Sequence, residues 1–372
     1  MGHVAEDSEA SAAAATASPD RRKWHRTKSF QLLIGLAVTF GCLWLAARVM
    51  AQGRPLGEVL AEIGDAFSQA NYASVPPILV ILFIFYWIKA WRWRMLLVPL
   101  GDFSARTLFP PVMIGFAANN LLPAHLGDLV RVFVFSRQQK QPLTAVFTSV
   151  ALERVLDAIA ILVLLALGLL MTPEMNDQRM RTAMSIAAGV IGVALLGAAV
   201  YLIWTKPFVR AFERCLARIP LVPVGMKQQL ARMVEQGAAG LASLGQRQLW
   251  AGLILTSLFQ WTLNAVVIHL SLWSFGIHVS PLVSCIVMGA TAFGVTVPAS
   301  PGYFGVIQLC FLGVLRFFTD DAVGVGAASI YYHLVQWIPV TATGAYFFWR
   351  TGLRVADVTD EAVTPPAVTP VQ

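Results

Sequence analysis

Asn119-Asn120-Leu121-Leu122-Pro123-Ala124-His125-Leu126-Gly127-Asp128-Leu129-Val130-Arg131 decides how the chain is read, because it sets amides, a proline, a glycine and an Asp/Arg pair inside an otherwise lipid-soluble run. In hydrocarbon every backbone polar group needs an internal partner, so a broken helix survives only where it is buried in protein or lines a wet cavity. Ionisable side chains at that depth are functional-site candidates by default.

The surroundings place this stretch in a membrane. Of 372 residues 57% are hydrophobic and only 13% charged, and the mean hydropathy is +0.67, whereas soluble domains carry nearer a quarter charged residues. The net charge of +7 does not point to nucleic acid, because the Lys and Arg residues stand in short clusters beside apolar segments, the pattern of membrane orientation and anionic headgroups. Cys42, Cys215, Cys285 and Cys310 lack metal or redox spacing, so neither a disulfide nor a metal is expected.

Outward from the quoted stretch, the basic residues assign sides. Residues 1–29, polar and then basic (Arg21, Arg22, Lys23, Arg26, Lys28), read as a disordered cytoplasmic N-terminus before a span from Phe30 to Met50. An acidic outside loop, Ala51 to Val75, leads to a span from Pro76 to about Leu97, whose Lys89, Arg92 and Arg94 are expected to snorkel to the cytoplasmic interface beside Trp91 and Trp93. The piece from Leu108 to Phe135 has Arg106 before it and Arg137 and Lys140 after it. It reads as a re-entrant hairpin from the cytoplasm turning at Pro123 to Gly127.

Spans follow at Leu143 to Met171, Ala183 to Trp204 and Leu249 to Gly276, with the basic segment 206–248 expected as interfacial helices on the cytoplasmic face. From Pro281 to Phe318 the apolar run is broken at Pro298-Ala299-Ser300-Pro301-Gly302-Tyr303-Phe304-Gly305. Its flanks look extracytoplasmic, which makes a second re-entrant hairpin from the opposite side. A last span, Val325 to Trp349, ends at Arg350, and residues 351–372 form a cytoplasmic tail. The expectation is an all-α polytopic membrane protein with about six full spans (residues 30–350) and two oppositely oriented hairpins. Pro123 to Gly127 and Pro298 to Gly302 share Pro-x-x-x-Gly, and opposed broken helices are the mark of an inverted repeat with a midplane site.

The polar groups inside these runs are the site candidates. About eleven residues separate Pro142 from Glu153, roughly 16 Å of helix rise, which sets Glu153, Arg154 and Asp157 near the middle of a ~30 Å core. Asp128 and Arg131, and Arg154 and Asp157, lie three apart on shared helix faces. Two readings stand: the charges neutralise one another to pin hairpin against span, or Arg131 and Arg154 turn toward a phosphate, aided by free amides at the helix break. His333 is either a hydrogen-bonded core histidine or a proton-responsive group, and Gln308, Gln336, Gln260 and Asn264 read as interhelical hydrogen-bonding residues. The tryptophans read as interfacial anchors. A P-loop, a Gly-rich dinucleotide loop, a metal cluster and Gly-x-Ser-x-Gly are all missing, so no cofactor is expected and enzyme chemistry is not favoured.

At Asn120-Leu121-Leu122-Pro123 with Gly127, Asp128 and Arg131, at Glu153-Arg154 with Asp157, and at Pro298, Pro301, Gly302 and Gly305, the chain resembles the flippase-type membrane region of lysylphosphatidylglycerol synthases, over roughly residues 30 to 350. The resemblance implies movement of a phospholipid or a polyprenyl-linked lipid with an anionic headgroup between leaflets of the cell membrane. It also implies a partner synthase or glycosyltransferase and no nucleic acid. The aminoacyl-transferase domain of the full-length synthases has no counterpart in this sequence, so lysyl transfer is not carried over. A lipid-modifying transferase or synthase subunit and a non-transporting accessory protein are the alternatives.

Overall fold

A computed structural model describes residues 19–122, 126–172, 247–296 and 301–352, with isolated positions between 182 and 193, and the side chains of the first helix from residue 35 onward. Pro123, Pro298, most of the expected span at 183–204, the basic segment 206–246, the N-terminal eighteen residues and the tail beyond 352 lie outside the described residues. Every regular element described is helical. The helices are α1 (Pro19–Ala51), α2 (Leu56–Gln69), α3 (Val75–Leu96), α4 (Ala105–Leu121), α5 (Leu126–Gln139), α6 (Leu143–Met171), α7 (Arg247–Ser274), α8 (Pro281–Gly294), α9 (Val306–Leu315) and α10 (Ala322–Thr351).

Among the described residues three helices, or four counting the bent pair α1–α2, are long and apolar enough to cross a membrane. Helix α10 has the length, 30 residues, but its polar groups keep it from qualifying on apolarity. The expected loop from Ala51 to Val75 is instead largely helix α2, turned 85° from α1. The reason is a helical period: Val59, Ile63 and Phe67 recur every four residues and pack on the core, while Glu58, Glu62 and Asp65 stand off that row.

Both interrupted runs fold as antiparallel helical hairpins. In the first, Ser104 caps α4 by accepting from the Thr107 amide at 3.1 Å, and the Gly127 amide donates to Asn119 Oδ1 at 2.7 Å. A Cβ on Gly115 would stand 2.7 Å from Arg131 Cβ. Residue 119 therefore faces 127 and 115 faces 131, the register of α4 running up and α5 running back. In the second, the Cys310 thiol donates to the Ala290 carbonyl at 3.4 Å, and a Cβ on Gly294 would stand 3.3 Å from Val306 Cγ1. There 290 faces 310 and 294 faces 306.

The hairpins exchange partners. Helix α6, which follows the first hairpin, packs on α8 of the second, and α10, which follows the second, packs on α4 of the first; α3 and α7, which precede the two hairpins, pack on each other. Both crossings are set by small residues, since within a membrane close packing replaces hydrophobic exclusion as the driving force. A Cβ on Gly344 of α10 would run into Ala117 and the Met113 carbonyl of α4, and one on Gly168 of α6 would lie 2.8 Å from the Leu282 carbonyl of α8. Exchange of α3–α6 with α7–α10 thus maps these eight helices onto one another, leaving α1 laid against α9 and α2 against α10.

Candidate functional site

Helix α3 carries Lys89, Arg92 and Trp93 at i, i+3 and i+4, one face of a helix, and turns that face into the bundle. Lys89 and Arg92 do not snorkel: their side chains are 1% and 0% exposed. Trp93 is equally enclosed, so it is a core residue and not an interfacial anchor. Arg94, on the other face, does stay out and pairs with Asp102 at 2.9 Å.

What holds those two cations inside is helix α6. Lys89 Nζ reaches Glu153 Oε1 at 2.8 Å and Asp157 Oδ2 at 3.1 Å. Arg92 donates to Asp157 Oδ1 at 2.6 Å and to Ser257 Oγ of α7, also at 2.6 Å. Trp261 of α7 adds an indole N–H to Asp157 Oδ1 at 3.1 Å. From α5, Arg131 binds Glu153 two-pronged at 3.2 and 2.8 Å, its guanidinium lying 3.7 Å over the Trp93 ring, and the Trp93 indole donates to Ser149 Oγ at 2.9 Å. A buried charge survives only if paired and hydrogen-bonded, and each of these is.

Arg154 and Asp128 form the open end of the network. Arg154 donates to Asp128 at 2.9 and 2.6 Å, and its Nη1 stands 3.6 Å from Asp157. Its side chain is 39% exposed and that of Asp128 19%, whereas the other members are at 4% or less. Pairing crosses between hairpin and span: Arg131 with Glu153 and Asp128 with Arg154. Four cations face three carboxylates, so at formal charge the cluster holds one surplus positive charge, and the side chain that reaches solvent is an arginine. The Gly127 amide, expected to be free for an anion, is already taken by Asn119.

The second break lies beside this end. Gly302, Tyr303 and Gly305 take φ of 79°, 59° and 86°, a backbone that glycine adopts at no steric cost. Gln308 fixes it: its Oε1 accepts the Gly305 amide at 2.7 Å and its Nε2 lies 3.4 Å from His333 Nδ1. His333 also stacks on Phe304 at 4.2 Å, so it serves as a buried brace for the break. Gly305 needs the absence of a side chain, since a Cβ there would sit 2.8 Å from the Leu43 amide of α1. Phe116 of α4 reaches from the open end of the network toward this side, its ring 6.0 Å from the Arg154 guanidinium and 5.1 Å from the Tyr86 ring.

A cavity of about 130 Å³ opens between the two breaks, lined by Asn120 of the first hairpin, Gly302, Tyr303 and Ile307 of the second, and Tyr332, His333, Gln336 and Trp337 of α10, with Tyr86 and Val340. Neither Arg131 nor Arg154 lines it. Asn120 is held by Thr341 at 2.9 Å, and Asn264 of α7 joins Tyr332 at 3.2 Å and Gln336 at 3.4 Å. Gln260, by contrast, is fully buried with neither amide atom partnered among the described residues. Among the described residues no three His, Cys, Asp or Glu side chains gather as a metal site.

Of the candidates read from the sequence, Asp128, Arg131, Glu153, Arg154 and Asp157 come together in the network, while Asn120, Gly302, Gln308 and His333 meet at or beside the cavity. Lys89, Arg92, Trp93, Tyr303 and Trp337 were missed. For the first two a signal existed: Asp128, Glu153 and Asp157 outnumber Arg131 and Arg154, and buried carboxylates in excess call for further cations.

Residues 32–344 match the family model described as lysylphosphatidylglycerol synthase TM region. The curated relatives include a protein named glycosyltransferase AglD from Haloferax volcanii, 28% identical over 77% of this chain but only 48% of that protein. They also include UPF0104 membrane proteins from Methanothermobacter thermautotrophicus, 25% identical over 83% of this chain and 93% of the relative, and from Methanocaldococcus jannaschii, 23% identical over 62% and 92%. The chain spans about half the length of the Haloferax protein. No solved structure matches.

Proposed function

The chain belongs to the family of lysylphosphatidylglycerol synthase transmembrane regions, and from that premise we propose that it is an integral membrane lipid translocator, moving a phospholipid or a polyprenyl-linked lipid between leaflets. The observation that carries this reading is the charged network: a buried cluster with one formal positive charge in excess, accessible at the Arg154–Asp128 pair. A lipid phosphate supplies the missing negative charge, and a guanidinium accepts it through two parallel hydrogen bonds. Asp128 holds Arg154 in place until the phosphate arrives, and the five members behind it fix the field without moving.

In this reading the two hairpins are re-entrant from opposite sides, residues 30–350 form one transporting unit, and the expected span at 183–204 completes six crossings. Both termini are cytoplasmic, following the flanking Lys and Arg residues. The exchanged packing of α6 on α8 and α10 on α4 supports a pseudo-symmetric bundle in which one half rocks against the other around a central site.

The test is translocation of a fluorescent anionic phospholipid by the purified chain in liposomes. Arg154→Gln is expected to slow it by at least about tenfold, the loss of a charge-assisted pair, with the protein still monodisperse; an unchanged rate counts against the reading. A second reading, the membrane part of a lipid-modifying transferase or a companion to one, is favoured by the name of the Haloferax relative. Product formation from a labelled donor and lipid by the purified chain decides for it.

A further inference from the structure

The wall of the cavity between the two breaks differs in kind from the network beside it. Its ten lining residues include no Asp, Glu, Lys or Arg. They supply amides from Asn120 and Gln336, hydroxyls from Tyr86, Tyr303 and Tyr332, an imidazole and an indole. The Trp337 indole lines the cavity, but its Nε1–H is enclosed, against Gly302, without a hydrogen-bond partner among the described residues.

From this we infer that the cavity is the subsite for an uncharged polyhydroxylated group, sugar-like in chemistry, attached to the phosphate that meets Arg154. The inference deepens the translocator reading and rests on it. A hydroxyl both donates and accepts, so a polyol fits a wall of mixed amides, phenols and indole N–H, and its C–H faces suit the aromatic rings. An ammonium headgroup brings donors alone and finds no carboxylate in the lining. A second phosphate brings acceptors alone and finds no cation. The connection is Phe116 of α4, whose ring lies 5.1 Å from that of Tyr86 in the cavity wall and 6.0 Å from the Arg154 guanidinium. A headgroup lying across Phe116 would set its phosphate on the arginine and the group beyond it in the cavity. The volume, about 130 Å³, has room for several waters or one ring in their place.

Four short-chain probes on the purified full chain test this, with binding read by calorimetry: an isoprenyl phosphate carrying glucose, the same isoprenyl phosphate bare, dihexanoyl phosphatidylcholine, and lysylated dihexanoyl phosphatidylglycerol. The glycosylated probe is expected to bind about tenfold tighter than the bare phosphate, the scale of one or two added hydrogen bonds. Trp337→Phe, which removes the N–H and replaces the indole in the cavity wall with a smaller phenyl ring, should bring that ratio to within about twofold. Equal binding of glycosylated and bare phosphate overturns the inference and leaves the phosphate reading standing, the cavity then holding water only. Tighter binding of the choline or lysyl probe overturns it in favour of an aromatic cage for a cation. Failure of all four probes, bare phosphate included, removes the translocator reading as well. Should Trp337→Phe not fold, the order of the four probes on the unaltered chain still decides; a folded Trp337→Phe with an unchanged ratio also overturns the placement.

Discussion

Arg131 and Glu153 form a two-pronged ion pair, at 3.2 and 2.8 Å, in which neither side chain reaches solvent. Glu153 also carries Lys89 at 2.8 Å, so one carboxylate balances two buried cations. Glu153→Gln leaves Arg131 without its counter-charge and Lys89 with Asp157 alone. Breaking a buried pair from one side costs about 3–5 kcal/mol, and the variant should unfold correspondingly earlier in a denaturant titration of the detergent-solubilised protein. Arg154→Gln, at the half-exposed end, should shift the same curve by only about 1 kcal/mol or less. Equal shifts would mean that the network does not grade from closed to open.

The first hairpin depends on the contact of Gly127 with Gly115 and Asn119. A Cβ on Gly127 would run into the Gly115 carbonyl and stand 2.6 Å from the Asn119 amide nitrogen. Both obstacles are backbone, so the helices must separate. Gly127→Ala should cost about 3 kcal/mol or more, at or beyond the usual range for overpacking, and lower the yield of monodisperse protein. Gly313→Ala is the control, because nothing lies within 4 Å of its added carbon; it should be neutral or slightly stabilising through helix propensity.

Much of this architecture is legible in the sequence, for physical reasons that also mark where the reading stops. Pro110, Pro111 and Pro339 stand inside unbroken helices, so a proline alone does not announce a break; the breaks stand at the paired stretches Pro123 to Gly127 and Pro298 to Gly302. The acidic and basic residues of α5 and α6 announce ion pairs, but spacing along one helix names only neighbours on that helix. Arg154 and Asp157 do meet along α6 at 3.6 Å, but the closer pairs, Arg131 with Glu153 and Asp128 with Arg154, cross from α5 to α6. Lys89 and Arg92 misled because position along the chain predicts depth, not rotation: near a helix end a cation can snorkel outward or turn inward, and only the opposing carboxylates decide. The helix hidden in Ala51 to Val75 was missed because its acidic residues drew attention from the four-residue apolar period. Trp337 carries no mark in sequence that separates an orphaned indole from an anchored one.

Gln308 spans the second break, accepting the Gly305 amide at 2.7 Å and lying 3.4 Å from His333 Nδ1. Gln308→Leu keeps the volume and removes both links. An unpaired buried backbone N–H costs about 1–3 kcal/mol, so the variant should lose that much stability, and hydrogen exchange should speed at residues 301–305 before it does in α6. Gln308→Glu keeps the acceptor for Gly305 and should recover most of the local protection. Uniform loosening of the whole bundle would show that the link does not act on the break.

Lys89 provides the sharpest separation between a local and a collective account of anion capture. Its ammonium is 1% exposed and does not line the open end, so a headgroup bound at Arg154 never touches it. It is nonetheless one of the four cations that outnumber the three carboxylates, and Asp157 links it to Arg154 through contacts of 3.1 and 3.6 Å. Lys89→Met brings the cluster to formal neutrality with Arg154 and Asp128 in place. With the phosphate beyond Arg154, two unit charges roughly 10 Å apart at an effective dielectric constant of about 20 interact by about 1.7 kcal/mol. Affinity for a bare isoprenyl phosphate should therefore fall by about fifteenfold, while Lys89→Arg keeps it within about threefold. Asp157→Asn raises the surplus to two charges and should move affinity the other way. If Lys89→Met folds and binds the phosphate as before, the surplus charge is incidental and Arg154 acts alone. If the affinities order as Asp157→Asn, then Lys89→Arg, then Lys89→Met, the binding energy belongs to the field of the whole buried cluster, and Arg154 is the point where that field reaches the lipid.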